Sequence, residues 1–213
     1  LKPAKRMHIN DVITLEHNCQ AQIMERISDK KWLLKFIAPE GFEIFLRRFG
    51  RAPLPPYIRR EKDNGQTAQD LERYQTVYAK KPGSVAAPTA GLHFSETVLR
   101  QLKEKSIRIA EITLHVGVGT FLPIETEDVE KHIMEEEFYE ISSAAAEIIN
   151  NARRVVAVGT TSTRALESAT DEKGELQAGS GFTNLFIYPG YKFRKVAALL
   201  TNFHLPQSSL FLL

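Results

Sequence analysis

The run Val155-Val-Ala-Val158 passes straight into Gly159-Thr-Thr-Ser162 and then into a segment of helical character. That handover restricts the chain to few folds. Four successive apolar residues read as a strand buried on both faces. The glycine and the hydroxyl residues turn it into a helix expected over Thr163–Ala169. A buried strand that feeds a helix belongs to a mixed α/β architecture with at least some parallel pairing.

The neighbouring segments fit the same class. Ser95–Ser106 reads as a helix: Ser95 suits the N-cap, Glu96 suits the helix dipole, and Val98, Leu99 and Leu102 form an apolar stripe. Ile107–Val118 reads as a strand with Ala110, Ile112, Leu114 and Val116 on one face and Thr113 and His115 on the other. Thr126–Glu137 and Ser143–Asn151 are expected to be helical. Asn184–Tyr188 and Lys195–Thr201 are expected to pair as strands around Pro189-Gly190.

The first fifty residues differ. Asp11–Glu16, Gln20–Ile27 and Lys31–Ala38 are short, roughly alternating runs, separated by His17-Asn18 and Ser28-Asp29-Lys30, which are of hairpin length. Phe42–Phe49 carries Phe42, Phe45, Leu46 and Phe49 at helical spacing, with Gly50 at the C-terminal stop. Together they read as part of a small barrel or sheet module. Pro53-Leu-Pro-Pro-Tyr57 is a stiff linker after it. The division expected is therefore 1–52, part of a small β module, and 53–213, an α/β catalytic domain.

Composition narrows the function class. The chain has 213 residues, 43% hydrophobic and 25% charged, which is ordinary globular usage. No apolar run approaches the roughly 18 residues of a membrane-spanning helix. A single cysteine, Cys19, forms no internal disulfide and argues for a reducing, cytoplasmic setting. Net charge is +2. Arg47, Arg48, Arg51, Arg59, Arg60 and Lys62 crowd one region and Lys80-Lys81 follow, which suits phosphate contact or a solvated face equally. The chain opens on Leu1 without methionine and stops inside the apolar run Ser209–Leu213, so it is expected to be a piece of a longer protein, truncated at both ends.

Four segments have the chemistry of a site. Gly83–Phe94 is a small-residue loop with His93 at a helix entrance; it is either a ligand loop or a tight packing corner. In Thr113–Phe121, His115 interrupts an apolar strand and Gly117 and Gly119 leave the chain bare beyond it. That pattern marks a ligand approach or a core histidine beside a bulge. Gly159–Arg164 places hydroxyls at the carboxyl end of a strand, where α/β sheets bind ligands. The plainer reading is that Thr and Ser cap the helix and that Arg164 pairs with Glu167 at i+3. Thr201–Pro206 gathers Asn202, Phe203 and His204 at a strand end. His132 and Glu136, at i and i+4, add a weak metal signal.

The runs Pro53–Ile58, Arg73–Ala79, Gly83–Phe94, Leu114–Phe121, Val158–Ser162, Phe186–Gly190 and Thr201–Pro206 together resemble the S-adenosylmethionine:tRNA ribosyltransferase-isomerase family of queuosine synthesis. They stand in family order and cover nearly everything after residue 50. The first fifty residues resemble its variable inserted β module, barrel-like and here only partly present. The resemblance implies that S-adenosylmethionine serves as co-substrate and ribosyl donor, with no metal and no prosthetic group. The acceptor would be the aminomethyl group of a 7-deazaguanine base at the tRNA wobble position. Rearrangement would give epoxyqueuosine and release adenine and methionine. No membrane or protein partner is implied.

Such chemistry needs a base near the ribose 5′ carbon and an acid to help adenine leave. Residue type and place in the matching runs assign proton transfer to His93, His115 and, third, His204. Substrate contact is assigned to Thr89, Ala90, Gly91 and Phe94; to Gly117, Gly119, Thr120 and Phe121; to His132 and Glu137; and to Thr160, Thr161, Ser162, Arg164 and Asn202. Phe94, Phe121 and Tyr188 are candidates to stack on a base. The family usually carries His-x-Met-His-x-Glu, whereas His132–Glu137 has Glu135 at the second histidine. Two other classes fit parts of the chain: a metal-dependent hydrolase built on His93, His115 and His132, and a non-catalytic RNA-binding protein.

Overall fold

A computed structural model describes residues 7–28, 31–55, 58, 68–117, 124, 126 and 128–204. The chain divides into two compact units, residues 1–51 and 52–213.

In the first unit β1 (Val12–Thr14), β2 (Gln20–Arg26) and β3 (Trp32–Ile37) form an antiparallel sheet in the order β1-β2-β3. No closed barrel is formed among the described residues. His17 and Asn18 adopt φ of 57° and 58° at the first turn. Cys19, Ala21 and Ile23 are its buried residues. Helix α1 (Phe42–Phe49) forms where the aromatic spacing predicts it, and the Gly50 N–H closes its last turn on the Leu46 carbonyl.

The second unit is mixed α/β. After α2 (Ala68–Arg73), a single 3-10 turn spans Thr89–His93. Helix α3 (Glu96–Glu104) is capped by the Ser95 hydroxyl, which accepts from the Val98 N–H. An antiparallel sheet of order β4-β5-β7 uses β4 (Thr113–His115), β5 (Glu137–Ile141) and β7 (Gly179–Thr183). Helix α4 (Ser143–Asn150) is capped by Ser142. Then β6 (Val156–Val158) leads into α5 (Thr160–Ser168), and β6 pairs in parallel with β8 (Ala198–Leu200). Ile141, Ala145, Ala146, Ile149, Ala157, Leu166, Ala169, Leu176 and Val196 form the core between these elements. The parallel pair that the Val155–Val158 run calls for is therefore present, but the strand is not buried on both faces, since Val156 is 53% exposed.

Three expectations are corrected. Thr126–Glu137 is not a helix: Asp128 caps one 3-10 turn at Val129–Lys131, and β5 begins at Glu137. At Glu137 the pairing of β5 with β7 overrides the local helical preference. The i, i+4 placement of His132 and Glu136 on one helix lapses with it. Of the strand expected over Ile107–Val118, the described residues form one only at Thr113–His115, and Val118 lies outside them. Asn184–Tyr188 does not pair with Lys195–Thr201. The strand before Pro189 is instead the glycine- and serine-rich Gly179–Thr183, whose partner is β5, and β8 pairs with β6.

Candidate functional site

The structure gathers the four chemically marked segments into two pairs. In the first, Gly83–Ala86 runs beside the end of β4. The Ser84 hydroxyl donates to the Leu114 carbonyl at 2.9 Å and accepts from the Val116 N–H at 3.0 Å. The amides of Val85 and Ala86 both donate to the Val116 carbonyl, at 2.9 and 3.3 Å. His115 lies between these contacts. Its ring meets Phe138 with centroids 5.2 Å apart, and its Nε2 is buried without a hydrogen-bond partner among the described residues. Such an atom is costly unless something bonds it.

Further along the same loop, Ala90 and Gly91 are buried and His93 is exposed, with Thr89 and Phe94 half-buried. Gly91 is required by crowding: a Cβ there would lie 2.1 Å from the Tyr78 hydroxyl. Burial, helped by the nearby Glu111 carboxylate, raises the Tyr78 phenol above its ordinary value. Gly117 is half-buried. Gly119, Thr120 and Phe121 lie outside the described residues.

The second pair sits at the carboxyl end of the parallel strands. The Gly159 N–H donates to the Leu200 carbonyl at 2.8 Å, so the hydroxyl turn and Thr201–His204 emerge side by side. Gly159, at φ 94°, is the N-cap of α5 and gives no side-chain cap. The helix starts at Thr160, earlier than the sequence reading, and Thr and Ser do not cap it. Thr163 is spent internally, donating to the Gly159 carbonyl. Among the described residues the side chains of Thr160, Thr161 and Ser162 make no hydrogen bond, although both threonines are buried. Asn202 accepts from the Phe203 N–H at 3.1 Å, and the Phe203 ring stands in solvent. Burial lowers the His204 pKa, which favours the neutral imidazole.

Arg164 and Glu137 join the two halves. They form a buried ion pair at 2.5 Å, with side chains 1% and 3% exposed. Arg164 also donates from Nε to the Leu185 carbonyl at 2.7 Å and from Nη2 to the Thr183 carbonyl at 3.3 Å. Burial pushes its pKa below the usual arginine value while Glu137 opposes the shift. Arg164 thus does not pair with Glu167. That carboxylate, 2% exposed, accepts from the Arg194, Lys195 and Val196 amides and from the Tyr191 hydroxyl. The role of Glu167 escaped sequence reasoning, because its partners lie beyond residue 190 and share no local spacing with it.

His132 packs edge-on against Phe186 at 5.0 Å, and Phe186 meets Tyr188 at 5.8 Å. Glu136 is exposed, whereas Met134 and Glu137 are buried. Among the described residues no group of three or more His, Cys, Asp or Glu could hold a metal ion, so His93, His115 and His132 are not gathered as ligands. Lys80 pairs with Glu111, Lys81 with Glu140 at 2.6 Å, and Arg48 with Glu40 at 3.1 Å. Arg59, Arg60 and Lys62 lie outside the described residues. A cleft of about 170 Å³ in the first unit is lined by His17, Pro39, Glu40, Phe45, Arg48 and Phe49, and none of the assigned residues lines it. No helix among the described residues is long and apolar enough to cross a membrane.

The second unit is thus a mixed α/β fold in which unbonded hydroxyls and a histidine stand at the carboxyl ends of a parallel strand pair, the edge of such sheets that commonly carries binding sites. The chain belongs to the queuosine biosynthesis protein family, whose model matches residues 1–213. It is similar to proteins named S-adenosylmethionine:tRNA ribosyltransferase-isomerase. That of Syntrophus aciditrophicus is 60% identical over 213 residues, covering 100% of this chain and 59% of the relative. That of Trichlorobacter lovleyi is 46% identical over 217 residues, covering 100% and 62%. That of Fusobacterium nucleatum is 48% identical over 219 residues, covering 100% and 61%. The chain thus spans about three fifths of the length of these relatives.

Proposed function

We propose that the full-length protein transfers the ribosyl moiety of S-adenosylmethionine to the 7-aminomethyl-7-deazaguanine wobble base of tRNA and isomerises it. Epoxyqueuosine forms, and adenine and methionine leave. The family match along the whole chain carries this reading. The names of the relatives supply the two substrates, and a cytoplasmic location follows from a tRNA substrate. Residues 53–213 act as the catalytic domain. Residues 1–52 are part of a barrel-like inserted module, and its exposed Arg47 and Arg51 suit phosphate contact. S-adenosylmethionine is consumed as a co-substrate; no prosthetic group enters the reading.

The chemistry matches the residues. A sulfonium acidifies the adjacent ribose 5′ protons, so a neutral imidazole can remove one. His115, with its unpartnered Nε2, and His204, held toward the neutral form, both suit that step, and exposed His93 suits proton delivery to departing adenine. Thr160, Thr161, Ser162 and Asn202 would hold ribose hydroxyls or the methionine carboxylate. Thr89, Ala90, Gly91 and Gly117, with Gly119 and Thr120, let the backbone approach the ligand. Phe94, Phe121, Tyr188 and His132 offer ring faces to a base. Arg164 and Glu137 support this site from behind, as a pair.

The test is adenine release from S-adenosylmethionine by the full-length protein given tRNA bearing the aminomethyl base. Release that requires the modified tRNA is expected. A folded protein that releases none would sink the proposal and would point to Glu135, in the place of the family's usual histidine, as the mark of an altered activity.

A further inference from the structure

His115 sits on the last residue of a strand only three residues long, where the backbone would ordinarily fray. It is held instead by a strap from a distant part of the chain. The strap acts on both sides of the residue. The single Ser84 hydroxyl bonds the carbonyl of Leu114 before it and the amide of Val116 after it. Val85 and Ala86 add two amide donors to the Val116 carbonyl.

The ring itself is flanked on two sides. On one side is Gly83, where a Cβ would lie 2.5 Å from Cε1, 2.7 Å from Nδ1 and 3.0 Å from Nε2 of His115. Gly83 also adopts φ 143°, which side-chain-bearing residues rarely take, so two separate constraints demand glycine there. On the other side is Phe138, at 5.2 Å and tilted by 49°, backed in turn by Phe182 at 5.6 Å. Strand register places these three rings in line, because His115 faces Phe138 and Phe138 faces Phe182. Contact on both sides leaves the half-buried imidazole few rotamers, while its Nε2 has no hydrogen-bond partner among the described residues.

We propose that Gly83, Ser84 and Phe138 are positioning residues that fix the His115 imidazole with its Nε2 unbonded. They touch no reacting atom themselves. The inference rests on the reading of His115 as a proton-transfer residue. A mobile imidazole would forfeit the alignment that proton transfer from carbon requires, and a displacement of about 1 Å costs on the order of a hundredfold in rate.

The experiment uses the full-length protein and reads two quantities: adenine release with modified tRNA, and the ¹⁵N spectrum of the His115 ring. In Ser84→Ala, kcat is expected to fall about tenfold or more with KM for S-adenosylmethionine changed by less than about twofold. The single ring signal should broaden by exchange. Ser84→Thr keeps the hydroxyl and should restore both. Should Ser84→Ala fail to fold, Phe138→Leu removes the opposite wall and is read the same way. A wild-type kcat with an unchanged ring signal overturns the strap. So does a fall in kcat with an unchanged ring signal, or one that Ser84→Thr does not repair, because the effect is then general destabilisation. His115→Ala separates the two proposals: full activity in that variant removes the proton-transfer role, while ring broadening in Ser84→Ala would still establish the strap. If the parent protein releases no adenine, the ring signal alone decides the strap.

Discussion

Arg164 and Glu137 are each assigned to substrate contact by their place in the matching runs, yet each finds the other inside the protein. A buried pair that also satisfies two carbonyls is far more sensitive to losing one member than to losing both. Arg164→Met should therefore cost about 3–5 kcal/mol of stability, because it removes the buried cation paired with the Glu137 carboxylate. Arg164→Met with Glu137→Leu should recover much of that loss in chemical denaturation. A double variant as unstable as the single one would contradict this account. His204 gives a second prediction at this scale. Burial holds its folded pKa below the ordinary value of 6.5, so the native state prefers the neutral ring. Its contribution to stability is present above pH 6.5 and is lost as the pH falls through the lower, folded value. The unfolding free energy of the parent minus that of His204→Gln, measured from pH 7.5 down to pH 5, should decrease as the pH falls. A difference independent of pH would dismiss the effect.

Helix α5 and its surroundings depend on one carboxylate. Glu167 fixes three consecutive amides just ahead of β8, and so sets where β8 begins. Glu167→Ala would leave those donors without an acceptor, at a cost of at least about 3 kcal/mol. Hydrogen exchange at Arg194, Lys195 and Val196 should accelerate more than exchange in α4; equal acceleration throughout would contradict a local role. In the 3-10 turn, Gly91→Ala forces a methyl against the Tyr78 hydroxyl and should destabilise by about 1–3 kcal/mol in thermal unfolding. The elements differ in how plainly they could be read. Helices α1, α3 and α4 announce themselves through apolar spacing and stop or cap residues, because local periodicity and capping decide them. Strands β5 and β7 do not. Glu137–Ile141 follows two glutamates and only its first residue falls in the helix expected over Thr126–Glu137, and Gly179–Thr183 is built of residues that favour turns. Both exist because β5 is paired on each edge, which no local window reveals.

For the molecule as a whole, the first unit carries a built-in reporter. Cys19 is the only cysteine and is fully buried. Its thiol should resist labelling in the native protein and react as residues 1–51 open, which can be timed against unfolding of the second unit by far-UV circular dichroism. Immediate labelling of native protein would refute the burial. The candidate site was legible at the same coarse level. The sequence marked the segments that carry hydroxyls and histidines, since residue type and glycine content are local facts. It could not show that Gly83–Ala86 grips His115, or that Gly159 meets Leu200, since those are products of tertiary pairing.

The parallel pair has a consequence in time. Val156 must meet Ala198, with all of α5 and β7 spooled between them, so this contact closes a long loop and is slow to nucleate. On a ribosome, β6 and the Gly159–Ser162 turn emerge well before β8 can reach them. The hydroxyl turn thus waits, unfinished, until the chain has been synthesised through β8.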